Sequence, residues 1–206
     1  LLSGNMAGIL CVVYASVMGL PVPFLPVHLL FINLLTDSLP AIAIGMEPAR
    51  PGLLEQKPRD PKAPILDKPA AVRIFGQGAL IAAATMAAFY LGYAWGGASA
   101  AATMAFATLT LARLFHGFNC RGKAPIFRLG LGSNRFSLLA FAGGTALLAA
   151  VLFVPGLSGL FAVTPLGAAQ VWQVAALAFA PTVLIQIFKY LPIDDFAPHI
   201  DGSNRS

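Results

Sequence analysis

Apolar residues run along this chain in six blocks, at 1–20, 27–45, 74–94, 99–117, 136–154 and 171–191, separated by polar or Pro- and Gly-rich breaks. Each block is close to the roughly 20 residues that a helix needs to cross a bilayer. The pattern predicts an all-α membrane protein with six transmembrane helices, forming a single membrane domain over residues 1–206. Composition agrees, since 58% of the residues are hydrophobic and only 10% charged, too few polar groups to wet the surface of a soluble domain.

Charge sets the expected orientation. All thirteen Lys and Arg fall in three places: six from Arg50 to Arg73, five from Arg113 to Arg135, and two at Lys189 and Arg205. The alternate connections, 20–26, 95–98 and 155–170, carry none. The positive-inside rule therefore places the basic connections, and both termini, in the cytoplasm. The net charge of +5 is accounted for by topology and contact with anionic lipid, so no nucleic-acid partner is expected. Residues 46–73 form the expected long cytoplasmic loop, rich in Pro and mixed charge.

Several single residues take ordinary readings. Tyr90, Tyr93, Trp95 and Trp172 sit near helix ends as interfacial anchors, with His28 interfacial too. Arg113 and His116 are expected to snorkel to the headgroups, and Gln77, Gln173 and Gln186 to bond across the bundle. Gly92 and Gly96 have small-residue packing spacing. Cys11 lies in an apolar helix and Cys120 in a basic loop, so both read as free thiols. The chain opens inside an apolar helix without a leader, which reads as a fragment of a longer protein.

Of the eight acids, four lie in the first basic loop (Glu47, Glu55, Asp60, Asp67) and three in the tail (Asp194, Asp195, Asp201). Asp37 alone is inside a spanning block. A carboxylate at mid-bilayer costs about 2.5–3.5 kcal/mol on the lenient insertion scale, so it requires a partner, a proton or a task. Asn33, Thr36 and Asp37 stand at i, i+3 and i+4 and put an amide oxygen, a hydroxyl and a carboxylate on one helical face. Pro40 cannot donate to the carbonyl of Thr36, so the helix should loosen there and expose backbone oxygens. Hard oxygen donors at a broken helix suit calcium, and would also accommodate Na⁺ or Mn²⁺. The competing reading keeps Asp37 protonated and bonded to Asn33 or a neighbouring helix. Asn5 lies deep enough to face the same site or to hold helices together.

The run NLLTDSLPAIAIGMEP (33–48), followed by KPRDPKAPIL (57–66), resembles the sixth membrane helix and following loop of calcium-pumping P-type ATPases. SGN (3–5) and GLPVPFLPVHLLFIN (19–33) resemble the fifth helix and its hairpin, and FHGFNCR (115–121) the cytoplasmic end of the eighth. The resemblance implies that the six helices are the last six of a ten-helix membrane domain. It implies that Asn5, Asn33, Thr36 and Asp37 are metal ligands, with Ca²⁺ the transported ion. It also implies that Mg²⁺ and ATP act in the missing cytoplasmic domains, for which the loop would be a contact. No phosphorylation motif or nucleotide loop occurs here, so the fragment carries no catalytic residue and cannot hydrolyse ATP alone. Gly8 and Thr110 stand where two-calcium pumps have acids. That departure predicts a single ion per cycle, bound by Asn33, Asp37 and a carboxylate from the missing fourth helix. The alternatives are a self-contained channel or secondary carrier, or a pump for Na⁺, K⁺, H⁺ or Mn²⁺. Ala-rich composition and short loops suggest a bacterial plasma membrane.

Overall fold

The computed structural model describes residues 2–47, 66–122 and 125–190, apart from the side chains of Leu35, Thr36 and Leu131. Most of the expected loop, at 48–65, lies outside the described residues, as does the tail from 191. Among the described residues every regular element is helical. In chain order these are α1 (Leu2–Val17), α2 (Pro26–Phe31), a π turn (Ile32–Thr36), α3 (Ser38–Gly45), α4 (Lys68–Asn119), α5 (Ile126–Leu129), a 3₁₀ turn (Leu131–Ser133), α6 (Arg135–Phe153), α7 (Pro155–Leu160) and α8 (Ala168–Tyr190).

Four helical paths among the described residues are long and apolar enough to cross a membrane: Pro26–Gly45, Lys68–Asn119, Arg135–Phe153 and Ala168–Tyr190. At 16 residues, α1 is apolar but shorter than a full span. The sequence blocks 74–94 and 99–117 both fall within α4, whose 52 residues would extend about 78 Å if straight, more than twice the hydrocarbon thickness.

It is not straight. Gly96 (φ −148°, ψ 23°) and Gly97 (φ 71°, ψ −158°) leave helical geometry, and only glycine adopts the Gly97 conformation without strain. Contacts with α1 give the direction of the two arms. Ser3, Cys11 and Tyr14 bond in order to Gln77, the Ala82 carbonyl and Tyr90, so α1 runs parallel to the first arm. Asn5 bonds to Arg113 whereas Gly8 lies beside Leu109, so α1 runs antiparallel to the second. The arms therefore fold back on one another. At the turn they pass so closely that a Cβ on Gly92 would lie 2.7 Å from the Ala100 carbonyl oxygen.

The second arm is the centre of the bundle. Residues 100–110 are buried on every side, and α8, α1 and α6 all pack against α4. At the end of the bundle near the Gly19 turn, His28 is fully buried rather than interfacial. Its ring stacks on Phe106 with centroids 4.3 Å apart. The Leu25 amide donates to His28 Nδ1 at 3.2 Å, so Nε2 carries the proton and donates to the Phe161 carbonyl at 2.8 Å.

The opposite end is tied by polar contacts. Asp67 caps α4, accepting from the Ala70 amide at 2.8 Å, with Pro69 in the first turn. These start signals explain why the helix begins at Lys68, six residues before the apolar block. Lys189 of α8 donates to the carbonyls of Asn119 and Gly122 at 2.6 and 2.7 Å, satisfying the end of α4. Gln186 bonds across the bundle, as expected, accepting from the Ile126 amide at 2.9 Å and donating to Asn119.

The hairpin sets one prediction. Gly92→Leu, which forces the two arms of α4 apart, should destabilise the protein by about 1–3 kcal/mol. Gly76→Leu, at a position with no atom within 4 Å of an added Cβ, should be close to neutral. Thermal unfolding in detergent, compared between the two variants, checks this.

Candidate functional site

Asp37 occupies a deliberate irregularity. Its amide donates to the Ile32 carbonyl at 2.9 Å, an i to i−5 bond that closes the π turn Ile32–Thr36. Helix resumes with Ala41 donating to the Asp37 carbonyl at 3.2 Å. Pro40, in the first turn of α3, has no N–H for the carbonyl of Thr36, and the irregular turn lies immediately before that helix. Single π turns of this kind recur at functional sites because they insert one residue and redirect a side chain.

Arg113, from the second arm of α4, approaches Asp37 directly. Its Nη2 donates to Asp37 Oδ2 and, at 2.7 Å, to Asn5 Oδ1. The side chains of the pair are only 6% and 12% exposed, so each charge answers the cost of burying the other. Arg113 and His116 are thus buried within the bundle, correcting the expectation that they snorkel to the surface. The sequence held one signal for this. Arg113 lies eight residues, about 12 Å along a helix, before Arg121, too deep for a side chain that merely seeks headgroups. Room for the guanidinium comes from Gly4, where an added Cβ would stand 2.5 Å from Arg113 Nε.

The predicted ligands are placed unequally. Asn5 and Asp37 meet through Arg113, while Asn33, one turn earlier, is exposed. The side chain of Thr36 lies outside the described part of the structure. Gly8 is buried, and the nearest atom to an added Cβ is Leu109 Cδ2 at 3.9 Å. The Thr110 hydroxyl turns back to the Phe106 carbonyl at 2.7 Å. Neither position offers a ligand. No group of three His, Cys, Asp or Glu gathers among the described residues, so any cation held at Asp37 would draw further carboxylates from elsewhere.

A cavity adjoins the pair, lined by Gly4, Asp37, Pro40, Arg113, His116 and Cys120 among others. His116 Nδ1 faces Asn119 Nδ2 at 3.4 Å, and its Nε2 has no hydrogen-bond partner among the described residues. Chemically the site is a carboxylate with one oxygen committed to a permanent cation, beside an irregular helical turn.

Residues 21–191 match the family model described as cation transporting ATPase, C-terminus. The chain is 32% identical over 187 residues to the calcium-transporting ATPase of Bacillus subtilis, covering 90% of this chain and 21% of that protein. It is 36% identical over 191 residues to calcium-transporting ATPase 1 of Lactococcus lactis, covering 92% and 22% respectively. It is 28% identical over 191 residues to mouse calcium-transporting ATPase type 2C member 2, covering 91% and 20%. The chain spans about a fifth of the length of these relatives. It belongs to the cation-transporting ATPase C-terminal family.

The ion pair yields a test by double-mutant cycle. Arg113→Met leaves a buried carboxylate without its counter-charge and should cost about 3–5 kcal/mol of stability. Arg113→Met combined with Asp37→Leu should recover most of that loss. Denaturation of the four proteins in detergent measures the coupling, and additive losses would contradict it.

Proposed function

We propose that this chain is the ion-carrying membrane part of an ATP-driven pump that exports Ca²⁺ from the cytosol. The observation that carries the reading is Asp37, the one acid within the apolar blocks, set at a π turn beside a helix-breaking proline. A transported cation needs oxygens that can be offered and withdrawn, and a locally unwound helix supplies them at low cost in packing. The relatives named as calcium-transporting ATPases support Ca²⁺ as the cargo.

In this proposal the cation is held by the free oxygen of Asp37, by Asn33 and Thr36, and by a carboxylate from a helix outside the chain. Asn5 orients Arg113. The guanidinium already supplies a positive charge beside Asp37, and with Gly8 and Thr110 uncharged the site carries one ion per cycle. The chain forms a single membrane domain of six spans, α1, the α2–α3 path, both arms of α4, α6 and α8, equivalent to the last six helices of a ten-helix parent. Both termini face the cytoplasm, in a bacterial plasma membrane. Mg²⁺, ATP and aspartyl-phosphate chemistry belong to the remainder of the parent, to which the loop 46–73 transmits movement.

Phosphoenzyme formation from ATP in the full-length parent tests cargo and site together. Ca²⁺ should support it at micromolar concentration, Asp37→Asn should abolish that dependence, and one Ca²⁺ should be bound per phosphoenzyme. Two bound ions would overturn the single site; dependence on Na⁺, K⁺, H⁺ or Mn²⁺ instead would change the cargo. Transport without any phosphoenzyme would replace the pump by a carrier.

Topology has its own measurement. An impermeant thiol reagent applied to intact cells should label Ala98→Cys at the turn of α4, and should reach Gln56→Cys only after the membrane is opened. The reverse pattern would invert the orientation.

A further inference from the structure

A second charged contact joins the same two elements as the Asp37–Arg113 pair, at the other end of α3. Arg121 Nε and Nη2 donate to the two carboxylate oxygens of Glu47 at 3.0 and 2.9 Å, a bidentate pair in which the arginine side chain is fully buried. The same guanidinium donates to the Gly130 carbonyl at 3.1 Å and to the Ser133 hydroxyl at 2.6 Å. Asn134, itself 2% exposed, caps α6 by accepting from the Ser137 amide at 3.1 Å. Its Nδ2 donates to the Ala43 carbonyl in the last turn of α3 at 2.8 Å, and to Glu47 at 2.7 Å.

Two side chains therefore fasten the end of the helix that carries Asp37 to the end of α4 and the start of α6. Glu47 lies two residues beyond α3, at the start of the loop that leaves it, so any pull on that loop acts on this contact before it reaches the helix. The π turn lies on the far side of Asp37 from this contact, whereas the Ala41 amide bonds to the Asp37 carbonyl at 3.2 Å and couples Asp37 to α3.

We propose that Glu47, Arg121 and Asn134 form a latch that fixes the inner end of α3 and so positions Asp37 for the cation. These are positioning residues, and the proposal rests on Asp37 being the cation carboxylate. Holding α3 in place removes freedom that the cation would otherwise have to remove on binding, so loosening the latch weakens binding.

The test uses the full-length parent with Glu47→Gln, Arg121→Gln and the double variant. Two readouts are taken: the Ca²⁺ concentration giving half-maximal phosphorylation from ATP, and phosphorylation from inorganic phosphate without Ca²⁺. Each single variant should raise the half-maximal Ca²⁺ concentration about three- to tenfold, and the double variant no more than the worse single. Phosphorylation from phosphate should persist, as it would not in a protein that had lost its fold. If Arg121→Gln loses both signals, Glu47→Gln, which keeps its hydrogen-bonding shape, decides. An unchanged Ca²⁺ requirement, or losses that add, would overturn the latch while leaving the pump intact. Absence of any Ca²⁺ requirement in the unaltered parent would overturn both.

Discussion

A carboxylate inside a bilayer constrains everything around it. Asp37 is too costly to leave alone in hydrocarbon, and within the bundle Arg113 stands against it. That pairing imposes further requirements. Arginine is bulky and always charged, so α1 must pass it with a glycine at position 4. Asn5, one residue on, takes up another of its donors. The second arm of α4 must run next to both α1 and α3, which the break at Gly96 and Gly97 makes possible by turning α4 back along itself. The ion pair, the close helix packing at Gly4 and the hairpin come together around one buried charge.

Much of this was legible from the residues. Apolar blocks fell on helical segments, of which four paths among the described residues are long and apolar enough to cross a membrane, and the Gly96–Gly97 turn fell in the uncharged break between two blocks. Asp37 stood out because no other acid entered an apolar block, and the irregular turn that carries it lies just before the helix containing Pro40. What the sequence did not reveal was pairing. Arg113 is 76 positions from Asp37, and nothing local distinguishes an arginine that turns inward from one that climbs to the headgroups, except its depth. His28 was misread for a similar reason. A histidine beside a Pro-rich turn looks interfacial until the Phe161 carbonyl and the Phe106 ring arrive from distant helices. The start of α4 was misplaced because an apolar run marks where lipid begins, whereas Asp67 and Pro69 mark where helix begins.

Glu47 illustrates how a residue can be classified correctly by region and still be missed. It was grouped with the acids of a polar loop, and by composition it belongs there. Its two oxygens meet a buried arginine because α3 ends at the place where α4 ends and α6 starts. The second partner, Asn134, is a typical helix cap by sequence. Its amide nitrogen has the additional task of satisfying a terminal carbonyl of α3, so one side chain closes the start of one helix and the end of another.

Charge balance links these features to transport on the proposed reading. Asp37 with Arg113 sums to zero, so a divalent cation arriving at the free carboxylate oxygen would add two uncompensated charges to a low-dielectric site. On that reading neutral donors such as Asn33 and Thr36 would supply coordination but no compensation. The remaining negative charge therefore has to come from a helix beyond this chain, and binding becomes a joint property of two separately mobile parts. An ion held in that way reports on their relative position, which is what a pump needs if movement elsewhere is to change affinity here. A site complete within one rigid bundle would hold its ion equally well in every state. On that reading the paired Arg113 would have a physical role beyond neutralising Asp37: it would keep this half of the site insufficient by itself, so that the cation would be captured only when the other half closes and released when it withdraws.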